Sequence, residues 1–527
     1  MRGSIALPVS PDRSPLLQTH AHTASTLPSP PRLRPVTMLT WLSVAAICFA
    51  AGHFSHTRTT LSASTTGTSP SVSSSLSLLS SSLSLFSPSS HRTPIPSCRP
   101  CDIDPSNPLC EYGDSAIRMS RAYEGSGLRV RRFLEKAMRK EEVVVGIIGA
   151  SVTWGHGIGD HLPWTQRWYE AFQARFPDTP IRLVNGAAPA MTSKFFSYCH
   201  ATLVPKDADL YLLELDINDE TTGETFSSID ALYRALLQLP SNPAVIRLSV
   251  LALSFDDMIR GTEAGLVNSQ YFDVPVLSIR NWLLPHLMAH PDLAPDFFTR
   301  LTDGKPDLRH VNALGHDALA DMLTLYLDEQ TCLAEQEQRL RSRLQAKAGT
   351  LWPQEDVYGM IPRQPLWEKF SETRTTPPVT PLCHFAASKV RPLVPLPPSL
   401  DGKDGEPNAW TRMEWNDKAA VVSSTVGSVV RFGVEGTSAG VFVWRHPLSP
   451  RLLTPPLLQP GQAVCWVDDL LDGATLIDAY EPNEAAGPNW VMVGEELEPG
   501  KHIVSCQVVE STRTGGHEVR IVGVVSH

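Results

Sequence analysis

Between residues 143 and 329, short β-branched apolar runs alternate with stretches of helical periodicity, and few folds accept that alternation. The run VVVGII at 143–148 is bounded by Gly149 and reads as a strand buried on both faces. Trp164, Trp168, Phe172 and Phe176 then recur near helical spacing, which predicts an amphipathic helix over 163–176. Further strands are predicted at 181–184, 210–215, 244–253 and 274–279. Helices are predicted over 115–142, where Gly125 and Gly127 interrupt the pattern, and over 229–239 and 312–329. Strands separated by helices pair in parallel through right-handed crossovers. The expectation is an α/β fold, a three-layer α/β/α flavodoxin-like parallel sheet. In such sheets the chemistry gathers beyond the carboxyl ends of the strands.

Each strand end carries a candidate. The first strand runs into GASVTWG, where Gly149 and Ala150 permit a tight turn that exposes Ser151 at a helix start. The second ends in VNGAAPA and offers the backbone N–H of Gly186. The third ends in LELDINDE and offers the side-chain amide of Asn218. After the fifth comes DLRH, with Asp307 and His310 three residues apart on what reads as a loop before the last helix. A carboxylate at that spacing can reach Nδ1 of the imidazole and fix its tautomer. A serine hydroxyl is a weak nucleophile until a base stands beside it. A tetrahedral intermediate needs donors already aimed at its oxyanion. Nucleophile (Ser151), oxyanion donors (Ser151, Gly186, Asn218), orienting acid (Asp307) and base (His310) are all present, in that chain order.

These four blocks resemble the SGNH (GDSL-like) hydrolase superfamily over roughly residues 115–330, and within it the fungal capsule-associated, Cap-type proteins. The resemblance implies a serine esterase with Ser151, Asp307 and His310 as its catalytic residues. Two departures stand out. Ala150 takes the place of the Asp in the GDS form, and Asp216 takes the place of the glycine two residues before the block-three Asn. A carboxylate there could crowd the oxyanion hole.

Other histidines are weaker candidates. His316 is the rival base, but six residues on it falls inside the predicted helix and reads as a helix-surface residue. His156, His161 and His200 read as surface or pocket-rim residues. No metal is expected, since Cys98 and Cys101 form a C-x-x-C with no second pair at zinc spacing. Disulfides are the better reading of the cysteines, with partners open. No phosphate- or dinucleotide-binding glycine pattern opens a helix, so no cofactor is expected. G-H-G-I-G at 155–159 reads as a flexible loop. A net charge of −10 argues against a nucleic-acid partner.

The ends of the chain differ in texture. Residues 1–37 are rich in Pro, Ser and Thr, with Arg2, Arg13, Arg32 and Arg34 against Asp12, and read as a disordered cytoplasmic tail. Residues 38–54 form an uncharged apolar run, read as a signal anchor or a cleaved signal peptide. Residues 55–97 read as a Ser/Thr-rich stalk. The expected location is the secretory pathway, as a single-pass type II membrane protein with a lumenal catalytic domain, or secreted.

The hydrolase-like domain is expected over 98–348, with 332–348 as a polar helix. A Pro-rich linker follows over 349–409, with few cross-domain contacts, so that a chain ending near residue 348 should fold alone. Over 410–527 seven alternating runs, at 419–424, 428–434, 440–444, 463–467, 490–497, 502–509 and 517–525, predict a smaller all-β sandwich or jelly-roll domain. Cys465 and Cys506 fall on different strands of it and can be bridged. Trp444, Trp466 and Trp490 read as core aromatics or as a sugar-stacking platform.

The function expected is a serine esterase acting on ester groups, O-acetyl above all, of a polysaccharide or other glycan substrate. Two alternatives use the same residues: an O-acetyltransferase, and a non-catalytic polysaccharide-binding protein on a decayed hydrolase scaffold, for which Asp216 is the cue.

Overall fold

The structure is a computed structural model that describes residues 97–260, 262–340, 359–377, 380–397, 409–415, 417–448, 459–482 and 486–527. The tail 1–37, the apolar run 38–54 and nearly all of the stalk 55–97 lie outside the described residues, as do 341–348 of the predicted polar helix. Among the described residues no helix is long and apolar enough to cross a membrane.

Six strands form the first sheet: β1 (Arg121–Tyr123), β2 (Val143–Gly149), β3 (Ile181–Asn185), β4 (Leu210–Glu214), β5 (Ala244–Ser249) and β6 (Val276–Ser278). Their order is β1-β6-β5-β4-β2-β3. β2 through β6 pair in parallel and β1 is antiparallel on the β6 edge. The parallel part has the flavodoxin-like order expected. Helices cover both faces, and β2, β4 and β5 are buried along their whole length. That double burial is why these strands read as continuous apolar runs rather than alternating ones.

Three differences from the expected elements have local causes. The predicted helix 115–142 is two helices, Gly113–Ser120 and Leu128–Met138, separated by β1. Gly125 and Gly127, at φ +63° and +68°, turn the chain between β1 and the second helix. The predicted helices 312–329 and 332–348 are instead one, Ala313–Leu340, joined through Cys332. Asp307 and His310 lie on a strand rather than a loop: β7 (Phe298–Arg300) and β8 (Pro306–Val311) form a separate antiparallel hairpin.

The C-terminal domain is a sandwich of antiparallel sheets. Its strands are β9 (Leu382–Phe385), β10 (Thr411–Trp415), β11 (Lys418–Ser423), β12 (Val429–Gly436), β13 (Ala439–Arg445), β14 (Gln462–Val467), β15 (Thr475–Asp478), β16 (Gly487–Gly494), β17 (Gly500–Val508) and β18 (Val519–Ser526). One sheet runs β10-β11-β18-β13-β16, with β9 also paired to β18; the other runs β12-β17-β14-β15. All seven predicted strands are present. β9, β10 and β15 were not expected.

The Pro-rich segment is not a contact-poor linker. Arg129 donates from Nε and Nη2 to the carbonyl of Gly359, at 3.0 and 2.6 Å. Arg234 donates to the carbonyl of Pro362, and the Tyr271 hydroxyl to that of Gln364 at 2.8 Å. Proline removes N–H donors but keeps carbonyls, and helix side chains satisfy them. A disulfide joins Cys199 to Cys383, and Phe195 packs on Phe385 and Phe442 with ring centroids 4.8 and 5.4 Å apart. One apolar core therefore runs from the α/β layers into the sandwich. The other bridges are Cys98–Cys332, Cys101–Cys110 and the anticipated Cys465–Cys506. Cys98 and Cys101 thus belong to separate disulfides.

Candidate active site

The chain leaves β2 through Gly149 and Ala150 and enters a short helix, Ser151–Trp154. A side chain at Gly149 would collide with Thr153, so the glycine is what lets the turn close this tightly and present Ser151. Ser151 Oγ lies 2.8 Å from His310 Nε2, and His310 Nδ1 lies 2.5 Å from Asp307 Oδ2. The imidazole and the carboxylate keep only 12% and 11% of their side-chain exposure. Burial pushes the Asp307 pKa up, but the hydrogen bond and charge of His310, with Arg309 and His156 behind them, leave it below the usual carboxylate value. Asp307 is thus held ionised against Nδ1, which leaves Nε2 as the acceptor for the serine proton.

Residues three apart on a regular strand point to opposite faces. Asp307 and His310 meet because β8 is irregular. Its register against β7 shifts, and Leu308 sits in the left-handed region at φ +55°. A bulge of this kind re-aims side chains.

Gly186 does not reach the site. Its N–H donates to the Ile147 carbonyl at 2.9 Å, extending the β2–β3 pairing. The glycine is needed for packing instead: a Cβ there would stand 2.6 Å from Val204 Cγ1 and 2.9 Å from the Leu203 carbonyl oxygen. Four residues on, Ala190 lines the same cleft as Ser151 and Asn218. Its backbone is left-handed at φ +69°, uncommon for a residue with a Cβ, and its N–H has no acceptor among the described residues. A positive φ on alanine leaves no mark in a sequence, so this donor escaped it. Asn218 lines the same cleft, half-buried, with its side-chain amide unpartnered among the described residues.

Asp216 turns away from the cleft. It is fully buried and accepts from Arg247 Nε at 2.7 Å and from Nη2 as well. Arg247 Nη2 also lies 3.6 Å from Asp219. Although burial works against the guanidinium, the surrounding acids raise its pKa, so it stays protonated. Asp219 in turn accepts from the N–H and the hydroxyl of Ser193, at 2.7 and 2.6 Å. Ser193 begins the helix Ser193–Cys199 just after Ala190. The loops that carry Asn218 and Ala190 are therefore latched to one another over a buried arginine.

The remaining histidines separate. His316 is not a surface residue: it is fully buried, and its Nδ1 accepts the first N–H of the helix Trp164–Arg175 at 3.0 Å. Burial lowers its pKa to about 4, so it is a neutral helix cap. His200 is likewise in the core rather than on a rim, against the Phe196 carbonyl, and burial lowers it to about 4. His161 is exposed. His156 is at the rim, its ring centroid 4.5 Å from that of His310. His156, Asp307 and His310 place ligand-type atoms within 4.8 Å of one another. Both ring nitrogens of His310 already face Asp307 and Ser151, which fits a proton relay better than a metal centre.

The cleft measures about 1770 Å³ and takes its second wall from the sandwich. Trp444 and Trp490 line it, as does Trp415, which stands edge-on to Trp444 at 5.5 Å. Trp466 does not. Trp490 also stacks on Tyr198 at 4.8 Å and so welds the two domains. Pockets for drug-sized ligands span roughly 300–1,000 Å³. This cleft is larger than that range.

No family model matches the chain, and no curated protein does. Solved structures do. A two-domain esterase (CEX) active on acetylated mannans, co-crystallised with mannopentaose, is 17% identical with a TM-score of 0.55. The match covers 78% of this chain and 97% of that one. A second structure of that two-domain esterase matches at a TM-score of 0.54, 17% identity and 78% and 98% coverage. A catalytic mutant of Axe2, an acetylxylan esterase from Geobacillus stearothermophilus, matches 35% of this chain and 94% of its own at 14% identity and a TM-score of 0.28. The two-domain likeness establishes that this chain has the fold of the two-domain esterase, α/β layers followed by a β sandwich.

Proposed function

We propose that the chain is a serine esterase of SGNH type that removes acyl groups, acetyl above all, from a glycan. The observation that carries this reading is the relay Asp307–His310–Ser151, closed at 2.5 and 2.8 Å at the mouth of a cleft that two domains build. Ser151 Oγ attacks the ester carbonyl as His310 Nε2 takes its proton. His310 then protonates the departing sugar oxygen. Water, activated by the same imidazole, cleaves the acyl-enzyme and releases the acid. The N–H of Ser151, the N–H of Ala190 and the Asn218 amide stabilise the oxyanion, with Ala190 in the role first expected of Gly186. Asp216, the feature that favoured a non-catalytic scaffold, is paired with Arg247 away from the reacting atoms.

The Cap-type resemblance and the two-domain likeness to an esterase active on acetylated mannans support a polysaccharide substrate. The apolar run 38–54 and the four disulfides support a place in the secretory pathway. The test is acetate release from acetylated mannan and xylan oligosaccharides. Ser151→Ala and His310→Ala should each lower kcat/KM by about 10³-fold or more, and the double variant should be hardly worse, because the two act as a unit. Wild-type rates retained by both variants would place the chemistry elsewhere.

A further inference from the structure

Two arginines stand in the cleft with no carboxylate paired to their guanidinium groups. Arg260 and Arg309 lay their guanidinium groups on the ring of Phe255, 4.0 and 4.7 Å from its centroid, and all three residues line the cleft. Arg309 directly precedes His310. Arg260 donates from Nε to the carbonyl of Ile217 at 3.1 Å, and Ile217 directly precedes Asn218. The pair thus joins the imidazole side of the site to the amide side. Among the described residues neither forms an ion pair. The sandwich arginines of the same cleft do: Arg445 with Glu481 at 3.1 Å, Arg513 with Asp478 at 3.4 Å and Arg520 with Glu518 at 2.6 Å.

Holding two such cations around one ring is unfavourable without a counter-charge. Burial and the nearby Arg309 both oppose the charge on Arg260; Glu220, Asp257 and Asp219 favour it, but Asp257 accepts from the Arg260 backbone N–H at 2.9 Å and none of the three forms an ion pair with the guanidinium. Arg260 is also held at φ +44°, a left-handed backbone that an arginine rarely adopts. A carboxylate placed between the two guanidiniums would answer both charges through forked hydrogen bonds.

We propose that Arg260 and Arg309 form a subsite for a carboxylate on the glycan, a uronic acid at or beside the sugar that bears the ester. The proposal rests on the esterase reading above. It assigns the charge to the sugar because Arg309 adjoins His310, the residue that protonates the departing sugar oxygen.

The test compares acetylated methyl glucuronoside with its methyl ester, which lacks the charge and adds one methyl group, with acetate release as the readout. The full chain should favour the acid by roughly tenfold in kcat/KM. Arg260→Gln and Arg309→Gln should each bring that ratio toward one, and added salt should do the same. A wild-type ratio of one or less, or a ratio that neither substitution changes, overturns the subsite while acetate release from neutral sugars leaves the esterase reading standing. Preference for a succinylated over an acetylated neutral sugar would put the charge on the acyl group and also overturn it. Should no ester be cleaved, that reading fails by itself. Calorimetric binding of methyl glucuronoside and its methyl ester to Ser151→Ala then decides the subsite: tighter binding of the acid supports it, and equal or no binding overturns it.

Discussion

Beneath the nucleophile lies a carboxyl group that no reading of motifs picked out. Glu214 ends β4, is fully buried, and accepts from the N–H and the hydroxyl of Thr153 at 3.2 and 2.8 Å. Burial pushes its pKa up to about 8, against the pull of those hydrogen bonds and with help from Asp216. It is therefore a neutral acid that braces the turn presenting Ser151. Because the folded state holds this proton and an unfolded chain releases it near pH 4.5, Glu214 makes stability fall as pH rises from about 4.5 to about 8. Glu214→Gln keeps an acceptor for Thr153 and removes the titration. Its melting temperature, relative to wild type, should climb across that window and level off above it. A difference that stays flat with pH would show that Glu214 is ionised in the fold. At this scale the sequence was partly legible. Ser151, Asn218, Asp307 and His310 follow from residue type and strand-end position, whereas Gly186 was misplaced because a glycine marks a turn and a close approach equally well. The two differ only in where the N–H points, and that of Gly186 points to the Ile147 carbonyl.

Elements were legible where periodicity was strong and illegible where a few backbone angles decide. β2, β4 and β5 declare themselves by unbroken apolar runs. β10, with the sequence TRMEW on a sheet edge, and β9, inside proline-rich sequence, carry no such signal. β8 read as a loop because its function depends on irregularity at Leu308. The loops after β3 and β4 show the same dependence on buried detail. Asp219 ties them together through Ser193 and faces Arg247 from inside the fold. Asp219→Ala leaves a buried N–H and part of a buried charge unanswered. It should cost about 3 kcal/mol of stability or more in chemical denaturation and lower kcat more than KM as the proposed oxyanion donors loosen. Unchanged kcat in protein confirmed as folded would show that the latch does not position them.

For the whole molecule, the sandwich is half of the cleft rather than an appendage. The shared core through Phe195, Phe385 and Phe442, the Cys199–Cys383 bridge and the carbonyls of Gly359, Pro362 and Gln364 hold the two domains in register. Composition had suggested a loose tether, since prolines mark irregular chain whether or not it is packed down. That seating adds Trp415 and Trp444 to the lining of the cleft that holds Ser151. The measurement that bears most directly on this account is covalent labelling of the full chain by a fluorophosphonate, mapped by peptide mass spectrometry. The account predicts stoichiometric modification at Ser151, abolished in Ser151→Ala and slowed by about 10³-fold in His310→Ala, because without its base the serine is no more reactive than any other. Absence of labelling at Ser151 in folded protein, or labelling that His310→Ala leaves untouched, would contradict it.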